Sequence, residues 1–233
     1  MSLPPDDVCI KAVVFDLDGT MFNTEMVFHV AGDDFVRSKG GLMTEALRQQ
    51  MMGRRAAESM AILKAALSLS ESIEQLRHES HTLFMGMLES RLAPMPGLFE
   101  ILQRIDELGL PRAVATSSHR EYLEDILGRY SLLEGFAFTL AAEDVVHGKP
   151  HPEIYLAAAE RMSLHPSEVL VIEDSGIGTQ AGVAAGVHIV SIPHIHSANQ
   201  NFTGTKHTAS SLMDPYLWKL LERAQLGIVS AQS

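Results

Sequence analysis

Asp16 and Asp18 stand two residues apart in Phe15-Asp16-Leu17-Asp18-Gly19-Thr20, directly after the short apolar run of residues 10–15. A second such run, residues 112–116, closes on Thr116 and is followed by Ser117 and Ser118. A third, residues 169–172, delivers Glu173 and Asp174, and Lys149 lies in Gly148-Lys149-Pro150. Carboxylates crowded at one place repel one another unless something positive sits between them. Oxygen-only donors of this kind suit Mg²⁺, which is commonly shared between carboxylates and a substrate phosphate. With that ion present, Asp16 can attack phosphorus, and Lys149 adds positive charge to the transition state. Asp18 can protonate the leaving oxygen and later activate water. The Thr116 hydroxyl and the backbone N–H of Ser117 can hold the remaining phosphoryl oxygens. An isolated D-x-D-G reads equally well as a turn cap; recurrence of acids at a second strand end is what points to a site.

These residues can meet only if the runs that precede them lie side by side. Residues 10–15, 112–116, 136–140, 169–172 and 187–192 read as five candidate strands, short, apolar and bounded by turn residues. Helical periodicity lies between them. Leu98, Ile101, Leu102, Ile105 and Leu108 stop at Gly109, and Ile154, Tyr155, Ala158, Ala159 and Met162 follow Pro152, a favoured first helical residue. Strand–helix alternation predicts an α/β fold, a doubly wound, Rossmann-like parallel sheet whose ligands bind beyond the carboxyl ends of the strands.

Residues 23–92 carry no strand signal. An apolar stripe of Ile73, Leu76, Leu83, Phe84, Met87 and Leu88 follows Ser68-x-x-Glu71, a capping-box pattern that predicts a helix start, and Gly40-Gly41 and Gly53 punctuate what precedes it. The expected organisation is a catalytic core of residues 1–22 and 93–233 and an inserted helical domain of residues 23–92, with hinges near residues 22–25 and 93–97. Residues 199–208 read as a polar loop.

The chain has 233 residues and a net charge of −11, a sign that argues against nucleic-acid and anionic-membrane partners. Cys9, the only cysteine, forms no intrachain disulfide, which fits a reducing compartment. No apolar run reaches the length of a membrane span, and residues 1–8 lack signal-peptide character, so a cytoplasmic location is expected.

Taken together, Phe15-Asp16-Leu17-Asp18-Gly19-Thr20, Ala115-Thr116-Ser117-Ser118, Gly148-Lys149-Pro150-x-Pro152 and Ile172-Glu173-Asp174-Ser175-x-x-Gly178 resemble, in order, the four motifs of the haloacid dehalogenase superfamily. The insertion is similar to the small helical cap of its β-phosphoglucomutase-like phosphatases. The resemblance implies a Mg²⁺-dependent phosphohydrolase that forms an aspartyl-phosphate on Asp16, with Asp18 as acid/base. It implies Asp174 and the Asp18 backbone carbonyl as metal ligands, with Glu173 a second-sphere or water-mediated partner. The expected partner is a small, sugar-like phosphate ester, and the chain itself a monomer or weak homodimer. One departure concerns Met21-Phe22-Asn23, where the family usually has Leu and then Asp; Asn23 keeps hydrogen-bonding ability without the charge.

Rival readings leave marks of their own. Gly176-x-Gly178-x-x-Ala181 matches a dinucleotide fingerprint, yet the acid expected about 20 residues on is missing, since the first after Asp174 is Asp214. Asp18 argues against dehalogenases and phosphonatases of the superfamily. A mutase reading would have Arg54, Arg55, Ser118, His119 and Arg120 grip a distal phosphate. The pairs His78/His81 and His194/His196 lack the further ligands of a zinc site, and the methionines read as packing residues.

Overall fold

The computed structural model describes residues 9–51 and 56–231. Its sheet is built from β1 (Ala12–Phe15), β2 (Arg112–Ala115), β3 (Phe138–Leu140), β4 (Val169–Glu173), β5 (His188–Ser191) and β6 (His207–Thr208), in the order β3-β2-β1-β4-β5-β6. Every pairing is parallel. β1, β2, β4 and β5 are buried along their whole length, as the continuous Val, Ile and Ala runs require of strands covered on both faces. The strand order reverses at β1, which puts the ligand-binding crevice at its carboxyl end. Phe15 is in register with Val114 on one side and Ile172 on the other, so Asp16, Ala115-Thr116 and Glu173-Asp174 leave the sheet along one edge.

The α/β expectation is met, with two differences. β6 falls in the segment read as a polar loop: it is two residues long, carries no apolar run, and pairs only with β5 through Val190–His207 and Ser191–Thr208. Pro152 sits at the N-cap of its helix, one place earlier than expected.

Two compact units share the chain, residues 9–22 with 94–231 and residues 23–93. The second holds α1 (Thr24–Ser38), α2 (Glu45–Met51), α3 (Ala56–Leu67) and α4 (Ile73–Arg91). Its core is Phe35, Val36, Leu47, Leu63 and Leu76, with Met43, Met51 and Met60 packed against it. The predicted capping box is displaced. Ser72, not Ser68, caps α4, its hydroxyl accepting the Gln75 N–H while the Gln75 side chain accepts the Ser72 N–H. Ser68 has a positive φ of 52° and Glu71 pairs with Lys39. Asn23 clasps the ends of this unit: its Nδ2 donates to the Arg91 carbonyl at 3.0 Å, and its Oδ1 accepts the Ala93 N–H at 2.8 Å. An aspartate at this position could accept but not donate, which accounts for the neutral amide.

The first unit adds α5 (Leu98–Glu107), α6 (Arg120–Gly128), α7 (Glu153–Arg161), α8 (Gly176–Ala185) and α9 (Pro215–Ala231) to the sheet. α5 buries the predicted stripe Leu98, Ile101, Leu102 and Ile105 and gives way to Gly109 at φ 65°. Leu217 and Leu221 of α9 are fully buried, and the Trp218 indole N–H donates to the Leu212 carbonyl.

Candidate active site

The turn after β1 brings Asp16 into the edge, where its backbone N–H still donates to the Ile172 carbonyl. Gly19 permits the turn that follows. Its φ is 75°, and a Cβ there would run into the Asp174 carboxylate and approach His194 Nε2 to 3.0 Å.

The side chain of Lys149 is almost fully buried. Its ammonium donates to Asp16 Oδ1 at 2.6 Å, Glu173 Oε1 at 2.7 Å and the Ala115 carbonyl at 3.1 Å. Glu173, also buried, is held on every side: Oε1 accepts from Lys149 and from the Tyr155 hydroxyl at 2.8 Å, and Oε2 accepts from the Asp174 and Ser175 N–H groups and the Ser175 hydroxyl. These bonds to its charged form, with Lys149 the strongest, overcome the cost of burial and hold Glu173 below the ordinary carboxylate range. Burial would lower Lys149, but the Asp16 and Glu173 carboxylates outweigh it and keep the ammonium well above its usual value. Asp16 goes the other way. Burial, reinforced by the nearby acids, pushes its carboxyl well up against the pull of Lys149.

Glu173 also explains a misleading motif. A Cβ on Gly178 would occupy the space of the Glu173 carboxylate, so this glycine makes room for an acid and not for a pyrophosphate. Ser175 caps α8 by accepting the Gly178 N–H.

Asp174 projects beside these groups. Its Oδ1 accepts from Thr20 at 3.3 Å and its Oδ2 faces His194 Nε2 at 2.8 Å. His194 Nδ1 accepts the backbone N–H of His196, so the ring proton sits on Nε2 and is donated to Asp174. One oxygen from each of Asp16, Glu173 and Asp174 lies within 4.8 Å of the others.

Asp18 faces the loop after β2. Its Oδ2 accepts from the Ser118 hydroxyl at 2.6 Å and the Thr116 hydroxyl at 3.3 Å, and its Oδ1 from the Tyr122 hydroxyl at 3.0 Å. Thr116 Oγ1 also accepts the Ser118 N–H, while the Ser117 side chain is exposed. The structure thus joins Asp16, Lys149, Glu173 and Asp174 in one buried cluster and links Asp18 to Thr116 and Ser118 beside it.

Other expected contacts differ. Arg120 pairs with Asp144 and donates to Thr139, so its guanidinium is already engaged within the α/β unit. Arg54 and Arg55 lie outside the described residues. Glu173 spends both oxygens on protein donors, which fits the anchoring role better than direct metal ligation. Tyr122, Tyr155 and His194 are the participants that sequence reasoning missed. The first two carry no local signal, and His194 reads in the sequence only as half of a His-x-His pair.

A parallel sheet with buried acids and a lysine at the carboxyl edge of its central strands defines a doubly wound α/β protein of Rossmann-like architecture. The family model described as haloacid dehalogenase-like hydrolase matches residues 13–192, and the chain belongs to that family. It is 31% identical over 206 residues to the phosphorylated carbohydrates phosphatase of Thermotoga maritima, covering 88% of this chain and 95% of the relative. It is 30% identical over 188 residues to the validoxylamine A 7'-phosphate phosphatase of Streptomyces hygroscopicus, covering 81% and 88%. A solved Thermotoga maritima structure, named provisionally as a β-phosphoglucomutase, superposes with a TM-score of 0.76 at 29% identity over 95% of this chain and 99% of its own. The expectation of a hydrolase enzyme is met. Among the described residues no helix is long and apolar enough to cross a membrane.

Proposed function

We propose that this chain is a Mg²⁺-dependent phosphomonoesterase of small phosphorylated metabolites, sugar-like in character, working through a phosphoryl group carried on Asp16. The observation that carries this reading is the buried lysine placed between Asp16 and Glu173. Asp16 is thereby positioned as a carboxylate nucleophile with a fixed cation beside it.

The donor set fits a hard divalent cation. Asp16, Glu173 and Asp174 are buried together and offer only oxygen, and Lys149 is too little positive charge for three carboxylates. Asp16 and Asp174 would hold the ion, with Glu173 behind them anchoring Lys149. When bound, the ion supplies charge neutralisation for a phosphate dianion and its attacking carboxylate.

Asp16 Oδ attacks phosphorus while the bond to the ester oxygen breaks. Lys149 steadies the charge on the transferring group, and the Thr116 hydroxyl is placed to donate to one of its oxygens. Asp18, in its protonated form, gives its proton to the departing alkoxide. As a carboxylate it then takes a proton from the water that cleaves the acyl phosphate, restoring Asp16. The hydroxyls of Ser118 and Tyr122 orient Asp18 for both duties, while the Thr116 proton, given to Asp18 at 3.3 Å in this structure, turns to the phosphoryl group when substrate binds. Similarity to a protein named as a phosphatase of phosphorylated carbohydrates supports a sugar-like substrate, and the helical insertion is the part of the chain to which we assign its selection.

The test is phosphate release from a panel of phosphomonoesters, in Mg²⁺ or EDTA, with Asp16→Asn beside the wild type. Removal of a covalent nucleophile is expected to cost on the order of 10⁴-fold or more in turnover, and EDTA is expected to abolish release. Metal-independent turnover, or an active Asp16→Asn, would overturn the mechanism. A hexose 1-phosphate offered with a trace of bisphosphate separates the mutase outcome: isomerisation faster than phosphate release would replace this reading with that one.

A further inference from the structure

The loop that carries Lys149 has a second face. Lys149 reaches inward to Asp16 and Glu173, while His147 and His151, two residues to either side of it, point outward with Glu153, the first residue of α7. His147 Nδ1 is 2.8 Å and His151 Nδ1 3.7 Å from the same oxygen, Glu153 Oε2, and the two imidazoles lie 4.6 Å apart, tilted by 36°. One ligand atom from each of the three residues falls within 4.8 Å of the others. A tetrahedral ion with metal–nitrogen and metal–oxygen bonds of about 2.0–2.1 Å spaces its ligands by about 3.3 Å, and the two distances to Oε2 bracket that value.

We infer that His147, His151 and Glu153 form a second metal site, for a divalent transition-metal ion such as Zn²⁺, on the outer face of the Lys149 loop. The donor chemistry separates this site from the first one. Two imidazoles and a carboxylate favour a zinc-like ion over Mg²⁺, whereas the buried cluster offers oxygen alone. The carboxylate is also held ready, because Glu153 accepts the backbone N–H groups of Val146 and His147 at 2.7 and 3.0 Å. The His151 backbone N–H in turn donates to the Gly148 carbonyl at 3.1 Å, and His151 Nδ1, the atom that faces Glu153, presents its lone pair by accepting the Glu153 backbone N–H at 3.3 Å. Exposure of both imidazoles gives the ion an entry path and leaves a fourth position for water.

An ion there would tie residue 147 to residues 151 and 153, closing the loop around Lys149 from outside. It would act as a clip on the segment that places the ammonium, without touching the reacting groups. Neither histidine belongs to the hydrolytic machinery proposed above, and the site does not depend on that proposal.

The experiment titrates Zn²⁺ by calorimetry into protein free of any added histidine tag, in saturating Mg²⁺, comparing wild type, the double variant His147→Ala/His151→Ala, and Asp174→Asn. One zinc per chain is expected in the wild type and in Asp174→Asn. Even outer partners of a bound metal are typically worth about 10–100-fold in affinity, so loss of two direct ligands should weaken binding by more than about tenfold. The melting temperature should rise with Zn²⁺ in the wild type and not in the double variant. Without zinc, the double variant should melt and hydrolyse phosphate esters as the wild type does, since both side chains are exposed. Zinc binding that survives in the double variant, that is lost in Asp174→Asn alone, or that never occurs in the wild type would overturn the site.

Discussion

Two lysines in this molecule are each clasped by two carboxylates, and they behave differently. In the helical unit, Lys39 lies 2.8 Å from Glu71 and 2.5 Å from Glu79, whose side chains keep 29% and 47% of their exposure. In the α/β unit, Lys149 lies 2.6 Å from Asp16 and 2.7 Å from Glu173, which keep 9% and 0%. Water shares the first arrangement, and the Lys39 contact simply pulls Glu71 down to about 2. Burial enters the second and opposes the charge on both acids; Lys149, assisted by backbone and hydroxyl donors, still brings Glu173 down, while Asp16 goes up. The same three charges make a surface tie in one place and a tense, buried cluster in the other. Among the described residues Thr24 is the one buried polar residue of the helical unit, whereas the α/β unit buries Asp16, Glu173, Asp174 and Thr116 at its edge.

The contrast can be broken most severely at Lys149. Lys149→Met leaves Asp16 and Glu173 facing each other without a cation, and breaking a buried pair in this way typically costs about 3–5 kcal/mol. Urea unfolding should show that loss, with hydrolysis gone; a variant as stable as the wild type would mean that the cluster tolerates its own repulsion. His194→Leu tests the neighbouring acid. Removing the donor to Asp174 should weaken Mg²⁺ binding by about 10–100-fold, read by calorimetry, while leaving the unfolding midpoint without metal near that of the wild type. Unchanged affinity would reduce the 2.8 Å contact to packing.

His188 offers a third case, a buried titratable group with a hydroxyl and no carboxylate among its hydrogen-bond partners. Burial, with a smaller push from Lys206, lowers it to about 4, and its Nε2 meets the Tyr216 hydroxyl at 3.1 Å. It is therefore neutral in the fold. Above a pH of about 6.5 both folded and unfolded chains leave it uncharged; below that the unfolded chain binds a proton that the fold excludes. Stability should fall between about pH 6.5 and 4 by roughly 1–2 kcal/mol, after discounting for the ring's partial access to water. Unfolding curves across that window, with His188→Gln for comparison, check it, since the substitution should flatten this part of the slope. The smallest effect belongs to the exposed clasp. Lys39→Met should cost no more than about 1 kcal/mol, and a larger loss would erase the distinction between the two lysines.

Much of the core was readable from residue types alone because parallel strands obey a simple rule. β-branched runs buried on both faces must lie together, and their carboxyl ends must then share an edge, so Asp16, Thr116, Glu173 and Asp174 were bound to meet once their runs were recognised. β6 was not readable, being two polar residues that become a strand only through β5. Ser68 and Ser72 each head a pattern that could cap α4, and tertiary pairing of Glu71 with Lys39 accompanies the use of Ser72. The partners of the site were the least legible. Tyr122 reaches Asp18 across more than a hundred residues, and nothing local to Tyr155 or His194 shows that a carboxylate will face it.

The clasp at Asn23 bears on how such a molecule can change over generations. Because its side chain binds the Arg91 carbonyl and the Ala93 N–H, the helical insertion leaves and returns at one point. The entropy of closing a loop grows only slowly with its length, each doubling adding about 0.6 kcal/mol. An insertion knotted at its neck can therefore be lengthened, shortened or replaced while β1 and the turn at Gly19 stay as they are. Asn23 would then be the boundary marker of an exchangeable part of the chain.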